Sequence, residues 1–241
     1  MATTRSERVL RLLRADILSG VLAPGEPLRF NMLCERYDVS VGVAREVLTH
    51  LAALGFVVAE PQHGFKVVSV TVDDLTDLTI ARCEVECAAL ALSIKHGDVA
   101  WESAVVASSH CLHRTPPVEA GSHWKTNMRW TTAHNDFHAS LLAACPSKRL
   151  IATAATMRDA AEIYRSRSGQ LDESRDPDAE HRRLSDAVLD RDIAAATSLL
   201  RTHLETTAEL LIAHLPPAPI GTSVHAPARN RTRSTRGSRP T

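Results

Sequence analysis

Residues 40–68 read SVGVAREVLTHLAALGFVVAEPQHGFKVV, and this stretch decides the fold of the N-terminal part of the chain. Ser40 is a favourable helix N-cap and Gly55 is a favourable residue after a helix C-terminus, so we expect a helix between them. Its apolar side chains recur at helical spacing, at Ala44, Val47, Leu48, Leu51 and Leu54. Two short apolar runs, 56–59 and 65–68, then predict a β-hairpin.

Two further helices precede this stretch. Residues 7–18 carry an apolar stripe that stops at Gly20, and residues 31–37 form a short second helix after the Pro/Gly-rich turn 23–27. Only residues 38–40 separate the second helix from the third, and this tight spacing lets the third helix project into a DNA major groove. The pattern predicts a winged helix-turn-helix, with the hairpin as the wing.

The rest of the chain reads as helices followed by a polar tail. The helices are expected at 72–96, 98–113, 118–144, 147–168, 177–190 and 192–214. One bent helix across Arg191 is the alternative for the last two. We therefore predict a mainly α fold class: a winged helix-turn-helix at 1–68, an all-helical bundle at 69–215, and a disordered basic tail at 216–241.

The composition of the 241 residues restricts the class of protein. No run approaches eighteen apolar residues and the N-terminus lacks a signal-peptide core, so we expect a cytoplasmic protein without a membrane partner. Five cysteines without CxxC spacing argue against a disulfide framework or a thiolate zinc site. Residues 67–215 hold 15 Lys or Arg against 21 acids, so only the two ends can attract DNA by charge.

Residues 1–68 resemble the winged helix-turn-helix of the GntR family of bacterial regulators. The matching segments are Ile17-Leu18-Ser19-Gly20, Pro24-Gly25-Glu26-Pro27-Leu28, Val39-Ser40, Arg45-Glu46-Val47-Leu48, Leu51, Gly55-Phe56-Val57 and His63-Gly64. The resemblance implies a DNA-binding transcription regulator that is not an enzyme. It is expected to act as a homodimeric repressor on a palindromic double-stranded operator.

The third helix departs from the family pattern at its start. The family usually has Arg-Thr-Pro after the capping serine, whereas this chain has Val41, Gly42 and Val43, so one arginine that contacts phosphate or guanine is missing. We expect the DNA contacts from Arg45, Ser40, Val41, Gly42, Asn31, His63 and Gly64. The alternatives are that Arg45 and Glu46 form a plain solvated helix surface and that the hairpin tip is only a turn.

Four of the twelve histidines stand out by spacing and by helix face. His134 and His138 lie one turn apart on an apolar face, His181 shares a face with Leu184, and His203 lies on a leucine-rich stripe. Four imidazoles on inward faces are costly as isolated buried groups, and coordination of a metal ion removes that cost. The alternative is a set of core histidines that hydrogen bonds satisfy.

The segments His134-Asn-Asp-Phe-His138, Glu180-His181 and His203-Leu204 resemble the FCD effector domain of FadR-type GntR regulators, in its six-helix version. The resemblance implies a metal held by three histidines and one aspartate, and His134 stands where the family has the aspartate. Either four imidazoles bind the ion, or His134 turns away and three bind it with water. Imidazole ligands suit Zn²⁺ or Ni²⁺.

The resemblance also implies a small carboxylate effector. Neutral ligands leave the divalent ion its full charge, which strengthens its attraction for an anion. Arg82 is expected to face the cavity and pair with the effector carboxylate, and an ion pair with Glu86 is the alternative. Two other functions stay open: a metal-free regulator that senses an apolar or acyl ligand, and a helical metalloenzyme with Glu180 as its base.

Overall fold

A computed structural model describes residues 4–69, 71–118, 127–165 and 175–214. In chain order its elements are α1 Arg5–Leu18, α2 Phe30–Tyr37, α3 Val41–Ala53, β1 Val57–Glu60, β2 Gly64–Val67, α4 Val72–His96, α5 Val99–His113, α6 Met128–Leu141, α7 Lys148–Arg165, α8 Pro177–Leu189 and α9 Ile193–His214. The predicted mainly helical fold is confirmed. Within the described ranges, no helix combines the length and the apolar character that a membrane span requires.

Helix α1 begins at Arg5 rather than at residue 7 as expected. The Thr4 hydroxyl accepts a hydrogen bond from the Glu7 backbone N–H, while the Glu7 carboxylate accepts one from the Thr4 N–H at 2.8 Å. This capping box satisfies two of the N–H groups that a helix N-terminus leaves without partners. The apolar stripe could not show that Arg5 and Ser6 belong to the helix, because both residues are polar.

The N-terminal elements form the predicted winged helix-turn-helix. Apolar residues of α1, α2, α3 and the hairpin pack into one core, in which Leu48, Leu51 and Phe56 are fully buried. Strands β1 and β2 are antiparallel and pair Glu60 with Gly64 at the wing tip. Both strands deviate by one residue from the expected 56–59 and 65–68, because Phe56 fills the core before the ladder begins and Gly64 already pairs.

The C-terminal helices pack around a second core, with α4 against both α7 and α9 and α5 against α6 and α8. Helix α4 has the predicted bounds. The expectation that α6 starts at residue 118 is wrong, since Val118 is not helical and α6 starts at Met128 after the Asn127 cap. Residues 166–168 of the expected 147–168 helix, and the expected disordered tail 216–241, lie outside the described residues.

A left-handed residue separates α8 from α9, so the bent-helix alternative is wrong. Arg191 has φ of 56°, which an α-helix cannot accommodate. Its guanidinium donates hydrogen bonds of 2.8 Å to the carbonyl oxygens of Ile94 and Gly97. These carbonyls lie at the C-terminal end of α4, where helical partners are lacking. The arginine therefore joins the α8–α9 corner to the α4–α5 corner.

Helix α7 contacts both parts of the molecule. Ile163 is 1% exposed and belongs to the core of the winged helix-turn-helix, although it lies more than ninety residues away in sequence. Beside it, an Arg14 Nη2 to Asp159 Oδ1 ion pair of 2.8 Å joins α1 to α7. On the same helix, Tyr164 is buried with Leu75 in a cluster of the C-terminal helices.

Candidate functional site

The predicted DNA-contacting residues lie at the surface around the start of α3 and at the wing tip. Ser40 caps α3, its side chain accepting the Val43 N–H at 3.4 Å. The exposed set comprises Asn31, Ser40, Val41, Gly42, Arg45, His63 and Gly64. Val41 is 47% exposed, so an apolar side chain stands in solvent at the position where the family usually has arginine.

Arg45 is held by an aromatic side chain that sequence reasoning missed. Its guanidinium lies over the Phe30 ring, 4.7 Å from the centroid. Phe30 in turn meets Phe65 of the wing edge to face, with ring centroids 6.2 Å apart. A cation over an aromatic face is attracted by the ring quadrupole. This chain of contacts therefore joins α2, α3 and the wing beneath the predicted DNA surface.

Glu46 and His63 also have partners within the chain. The Ser6 hydroxyl donates to Glu46 Oε1 at 2.9 Å and so ties α3 to α1. At the wing tip, His63 Nδ1 lies 3.1 Å from the Pro61 carbonyl oxygen. Arg45 and Glu46 are thus more than a solvated pair, because each has a specific neighbour that sets its direction.

Four buried histidines from three helices converge in the C-terminal part, and we call them the histidine cluster: His134, His138, His181 and His203. None of them is more than 8% exposed. One ligand atom from each lies within 4.8 Å of the others. The inward orientation expected from the helical spacing is therefore what the structure shows, and the cluster could hold a metal ion.

Burial keeps these imidazoles neutral. Desolvation, with smaller contributions from neighbouring positive charges, lowers the pKa of His134, His138 and His181 well below the usual 6.5. Burial also lowers the pKa of His203, although its hydrogen bond to Glu180 opposes this shift. A neutral imidazole has a free lone pair, which is the form that binds metal.

The donor set fits a divalent ion. His138 Nε2 and both ring nitrogens of His181 are buried and have no hydrogen-bond partner among the described residues. Such orphaned polar atoms are costly unless a partner such as a metal ion satisfies them. Ligand nitrogens around tetrahedral zinc lie about 3.4 Å apart, so the widest pair, at 4.8 Å, needs to close by roughly 1.4 Å.

His134 belongs to the cluster but also has another partner. Arg165 Nη1 lies 2.6 Å from His134 Nδ1, and the Trp130 ring stacks on the imidazole with centroids 4.9 Å apart. Arg165 also hydrogen-bonds to Asn135 and to Glu162. A four-imidazole site therefore needs Arg165 to shift, whereas a three-imidazole site leaves this contact intact. Both arrangements expected from the sequence agree with this geometry.

His203 is tied to a carboxylate behind it. Its Nδ1 lies 2.8 Å from Glu180 Oε2. Arg175 donates two hydrogen bonds to the same carboxylate, from Nε at 2.7 Å and from Nη2 at 2.6 Å. Partial burial raises the pKa of Glu180, but the hydrogen bonds from Arg175 and His203 outweigh it and hold the pKa far below its usual value. Glu180 is accordingly a carboxylate.

A cavity of about 30 Å³ adjoins the histidine cluster, which is room for one or two water molecules. Arg82, Arg158 and Arg165 line it together with three of the four histidines. Arg82 therefore faces the cavity as expected, and it also donates to the buried Glu86 at 2.8 Å, which was the alternative. Its pairing with an effector carboxylate stays a prediction. Arg158 lies 3.8 Å from the Glu86 carboxylate. The buried carboxylates of Glu86 and Glu162 offset two of these three positive charges, so one net positive charge remains beside the cavity.

Comparison with known proteins assigns both parts of the chain. The family described as "Bacterial regulatory proteins, gntR family" matches residues 5–67, and the FCD domain matches residues 77–206. The chain belongs to the GntR family. Its FCD domain fits the FadR-type branch, as the motifs predicted, and the proteins it resembles are DNA-binding transcriptional regulators rather than enzymes.

Two curated relatives cover most of this GntR regulator. The uncharacterized HTH-type transcriptional regulator BphR of Paraburkholderia xenovorans strain LB400 is 36% identical over 210 residues, which are 86% of each chain. The HTH-type transcriptional repressor GlaR of Escherichia coli K12 is 33% identical over 81% of this chain and 90% of its own. The relatives therefore share both domains with this chain.

Solved structures show the same architecture. A GntR regulator from Rhodococcus sp. RHA1 superposes with a TM-score of 0.68 at 26% identity, over 89% of this chain and all of the other. The McbR/YncC protein of E. coli reaches the same TM-score of 0.68 at 18% identity, over 88% and 99% of the two chains. The second likeness shows the fold alone.

Sequence reasoning missed several residues of this GntR regulator that surround the cavity. Arg158 and Arg165 are seven residues apart on α7 and so face the same side, a spacing that the sequence did show. Charged residues at that spacing are usually solvated, however, and only the packing of α7 against α4 reveals that they point inward.

Proposed function

We propose that this GntR-family chain is a homodimeric cytoplasmic repressor of a palindromic operator, controlled by a small carboxylate bound at a divalent metal in the FCD domain. The proposed domains are 1–68 for DNA, 69–215 for effector and dimerisation, and a basic tail at 216–241. The observation that carries the proposal is the buried histidine cluster beside three arginines.

The histidine cluster is the proposed metal site. His138, His181 and His203 would hold Zn²⁺ or Ni²⁺, and His134 would join them if Arg165 releases it. When bound, the ion supplies a concentrated positive charge with an open or exchangeable position for an anion. The protein contributes neutral ligands that burial keeps deprotonated and a cavity from which bulk water is largely excluded.

The effector would bind in the cavity beside the histidine cluster and contact the arginines that line it. Arg82 can offer a bidentate fork to a carboxylate, but Glu86 already occupies one of its donors. The cavity of about 30 Å³ is too small for an organic acid, so binding requires the lining side chains to move apart. Arg158 and Arg165 lie on α7, and their displacement would act on that helix.

Helix α7 is the proposed route from the effector to the DNA-binding domain. Its cavity side carries Arg158 and Arg165, while Asp159 and Ile163 on the other side dock against α1 and the core of the winged domain. An effector that binds one position of α7 better than another thereby shifts the orientation of the winged domain. In a dimer this changes the distance between the two recognition helices.

The repressor assignment follows the relative GlaR, which is named a transcriptional repressor and shares 33% identity. Arg45 is the first choice for base or phosphate contact, because it is exposed on α3 and oriented by Phe30. Gly42 leaves the α3 N-terminus open, since a Cβ there would meet only the Ser40 hydroxyl at 3.8 Å. Backbone N–H groups at that end can bind a phosphate.

The experiment measures metal content and DNA binding together. The full chain is stripped with a chelator, reloaded with Zn²⁺ or Ni²⁺ and analysed by elemental mass spectrometry. Its binding to a DNA fragment selected from a random pool is then followed by fluorescence anisotropy with a panel of organic acids. We expect one ion per chain, loss of that ion in His181→Ala, and a change of DNA affinity with at least one acid.

The matched control is His110→Ala, an exposed histidine outside the cluster, which should keep the metal. If the wild-type chain takes up no stoichiometric ion, the metal part of the proposal is wrong and a metal-free sensor of an apolar ligand takes its place. If metal binds but no acid changes DNA affinity, the carboxylate effector is wrong. Turnover of an ester or amide by the loaded protein would instead support a metalloenzyme.

A further inference from the structure

His203 differs from the other cluster histidines in having a carboxylate fixed behind its ring. Its Nδ1 contacts Glu180 Oε2 at 2.8 Å, and Arg175 binds both oxygens of that carboxylate. The Arg175 Nη2 group also lies 3.4 Å from the His203 carbonyl oxygen. Hydrogen bonds thus connect His203 on α9, Glu180 on α8 and Arg175, which lies just before α8.

The hydrogen bond to Glu180 determines which nitrogen of the His203 imidazole carries the proton. Two groups approach Nδ1, the Glu180 carboxylate at 2.8 Å and the Arg175 Nη2 donor at 3.4 Å. The carboxylate is much the nearer, and it accepts hydrogen bonds and donates none, so its contact places the proton of the neutral His203 imidazole on Nδ1. The lone pair is then on Nε2, the nitrogen left for the cluster. Without the carboxylate, a neutral imidazole is free to exchange its proton between the two nitrogens.

We propose that Glu180 is a positioning residue that holds His203 in the Nδ1–H tautomer and aims its Nε2 at the metal, with Arg175 holding Glu180 in place. The inference rests on the proposed metal site. It also removes Glu180 as the base of a hydrolytic enzyme, because its Oε2 contacts His203 and Arg175 binds both of its oxygens.

The competing explanation is that Glu180 only stabilises the first turn of α8. An acidic residue there interacts favourably with the helix dipole, and Asp178 does so as well. A purely structural Glu180 would change stability without changing the tautomer of His203 or the zinc affinity. The two explanations therefore separate on readouts specific to the imidazole.

The first measurement is zinc affinity of the full chain by competition with a chelating indicator. Removal of a carboxylate behind a metal-bound histidine typically lowers metal affinity about 10–100-fold. We expect a loss of that order in Glu180→Ala and a smaller loss in Glu180→Gln, whose amide oxygen can still accept from Nδ1–H. The control Asp178→Asn removes a partly exposed charge from the same turn and should leave zinc affinity unchanged.

The second measurement needs no metal. Long-range ¹H–¹⁵N correlation spectra of the stripped chain, assigned with a His203→Gln variant, report which ring nitrogen carries the proton. We expect pure Nδ1–H in the wild type and a mixture of tautomers in Glu180→Ala. Circular dichroism checks that each variant is folded.

The outcomes are distinct. An unchanged zinc affinity or tautomer in a folded Glu180→Ala variant overturns the positioning role while leaving the metal site standing. A wild-type chain that binds no zinc overturns the metal site and, with it, the positioning role toward a metal. Loss of zinc affinity to the same extent in Asp178→Asn assigns the effect to the charge of the α8 terminus and also overturns the proposal.

Discussion

Replacing Ile163 by alanine should loosen the attachment of the winged domain to α7. The side chain is 1% exposed within the winged-domain core, so the change removes three buried carbons. At about 0.8 kcal/mol for each, the transfer term is roughly 2.4 kcal/mol. The cavity left behind raises the expected cost in unfolding free energy to about 2–5 kcal/mol.

The positions of the tryptophans allow the two domains to be followed separately. Trp101 lies on α5 and Trp130 on α6, and Trp124 also follows the winged domain in sequence. The winged domain contains no tryptophan, so the fluorescence reports on the chain after it. Far-ultraviolet circular dichroism follows the helices of both domains. In urea, Ile163→Ala should lose part of its ellipticity at lower denaturant concentration, while the fluorescence transition shifts less.

The matched control is Ile193→Ala on α9, which removes the same atoms from a side chain that is 39% exposed and should change stability by less than about 1 kcal/mol. Coincident transitions by both probes, with midpoints equal to those of the wild type, would refute the reasoning. That result would mean that α7 does not hold the winged domain in solution.

Three other predictions follow from contacts and charges. Phe30→Leu removes the ring beneath Arg45, a contact of about 0.5–1 kcal/mol, so affinity for selected DNA should fall roughly two- to fivefold in anisotropy titrations; an unchanged affinity would contradict this role. Val41→Arg should restore a phosphate contact and steepen the salt dependence of DNA binding by about one unit of log–log slope, whereas Val106→Arg on α5, outside the winged domain, serves as the exposed control. The stripped protein should lose stability as pH falls below the usual histidine pKa of 6.5. Burial lowers the pKa of the cluster histidines in the folded state, so the unfolded chain binds more protons there, and each histidine contributes up to about 1.4 kcal/mol per pH unit. Urea midpoints at pH 7.5, 6.5 and 5.5 measure the slope, and a flat profile would disprove it.

The parts of this structure that follow from local periodicity were predictable from the sequence. Helix α4 has the bounds expected from its apolar pattern, and His134 and His138 face inward because four residues make about one helical turn. The start of α1 was missed because the capping box around Thr4 is polar. The start of α6 was misplaced because Gly121-Ser122 and Asn127, a breaker pair and a good N-cap, were counted as helix interior.

Contacts between distant segments could not be read from the sequence. Phe30 beneath Arg45 and Ile163 within the winged-domain core depend on how helices pack, and their residue types are equally common in plain core positions. The Glu180–His203 contact joins residues on different helices and has no local spacing. The inward spacing of the four histidines and the motif likeness to the FCD domain together indicated that these helices share a site.

The uncharged character of the histidine cluster separates folding from metal occupancy. An aspartate in place of His134 would leave a buried anion whenever the ion departs, and an isolated buried charge is far more costly than a neutral imidazole. Here the cluster keeps only neutral rings, with His134 hydrogen-bonded to Arg165 and His203 to Glu180. We therefore expect the chain to stay folded when the proposed ion is removed, so that the fraction of protein carrying an ion would follow the free metal concentration.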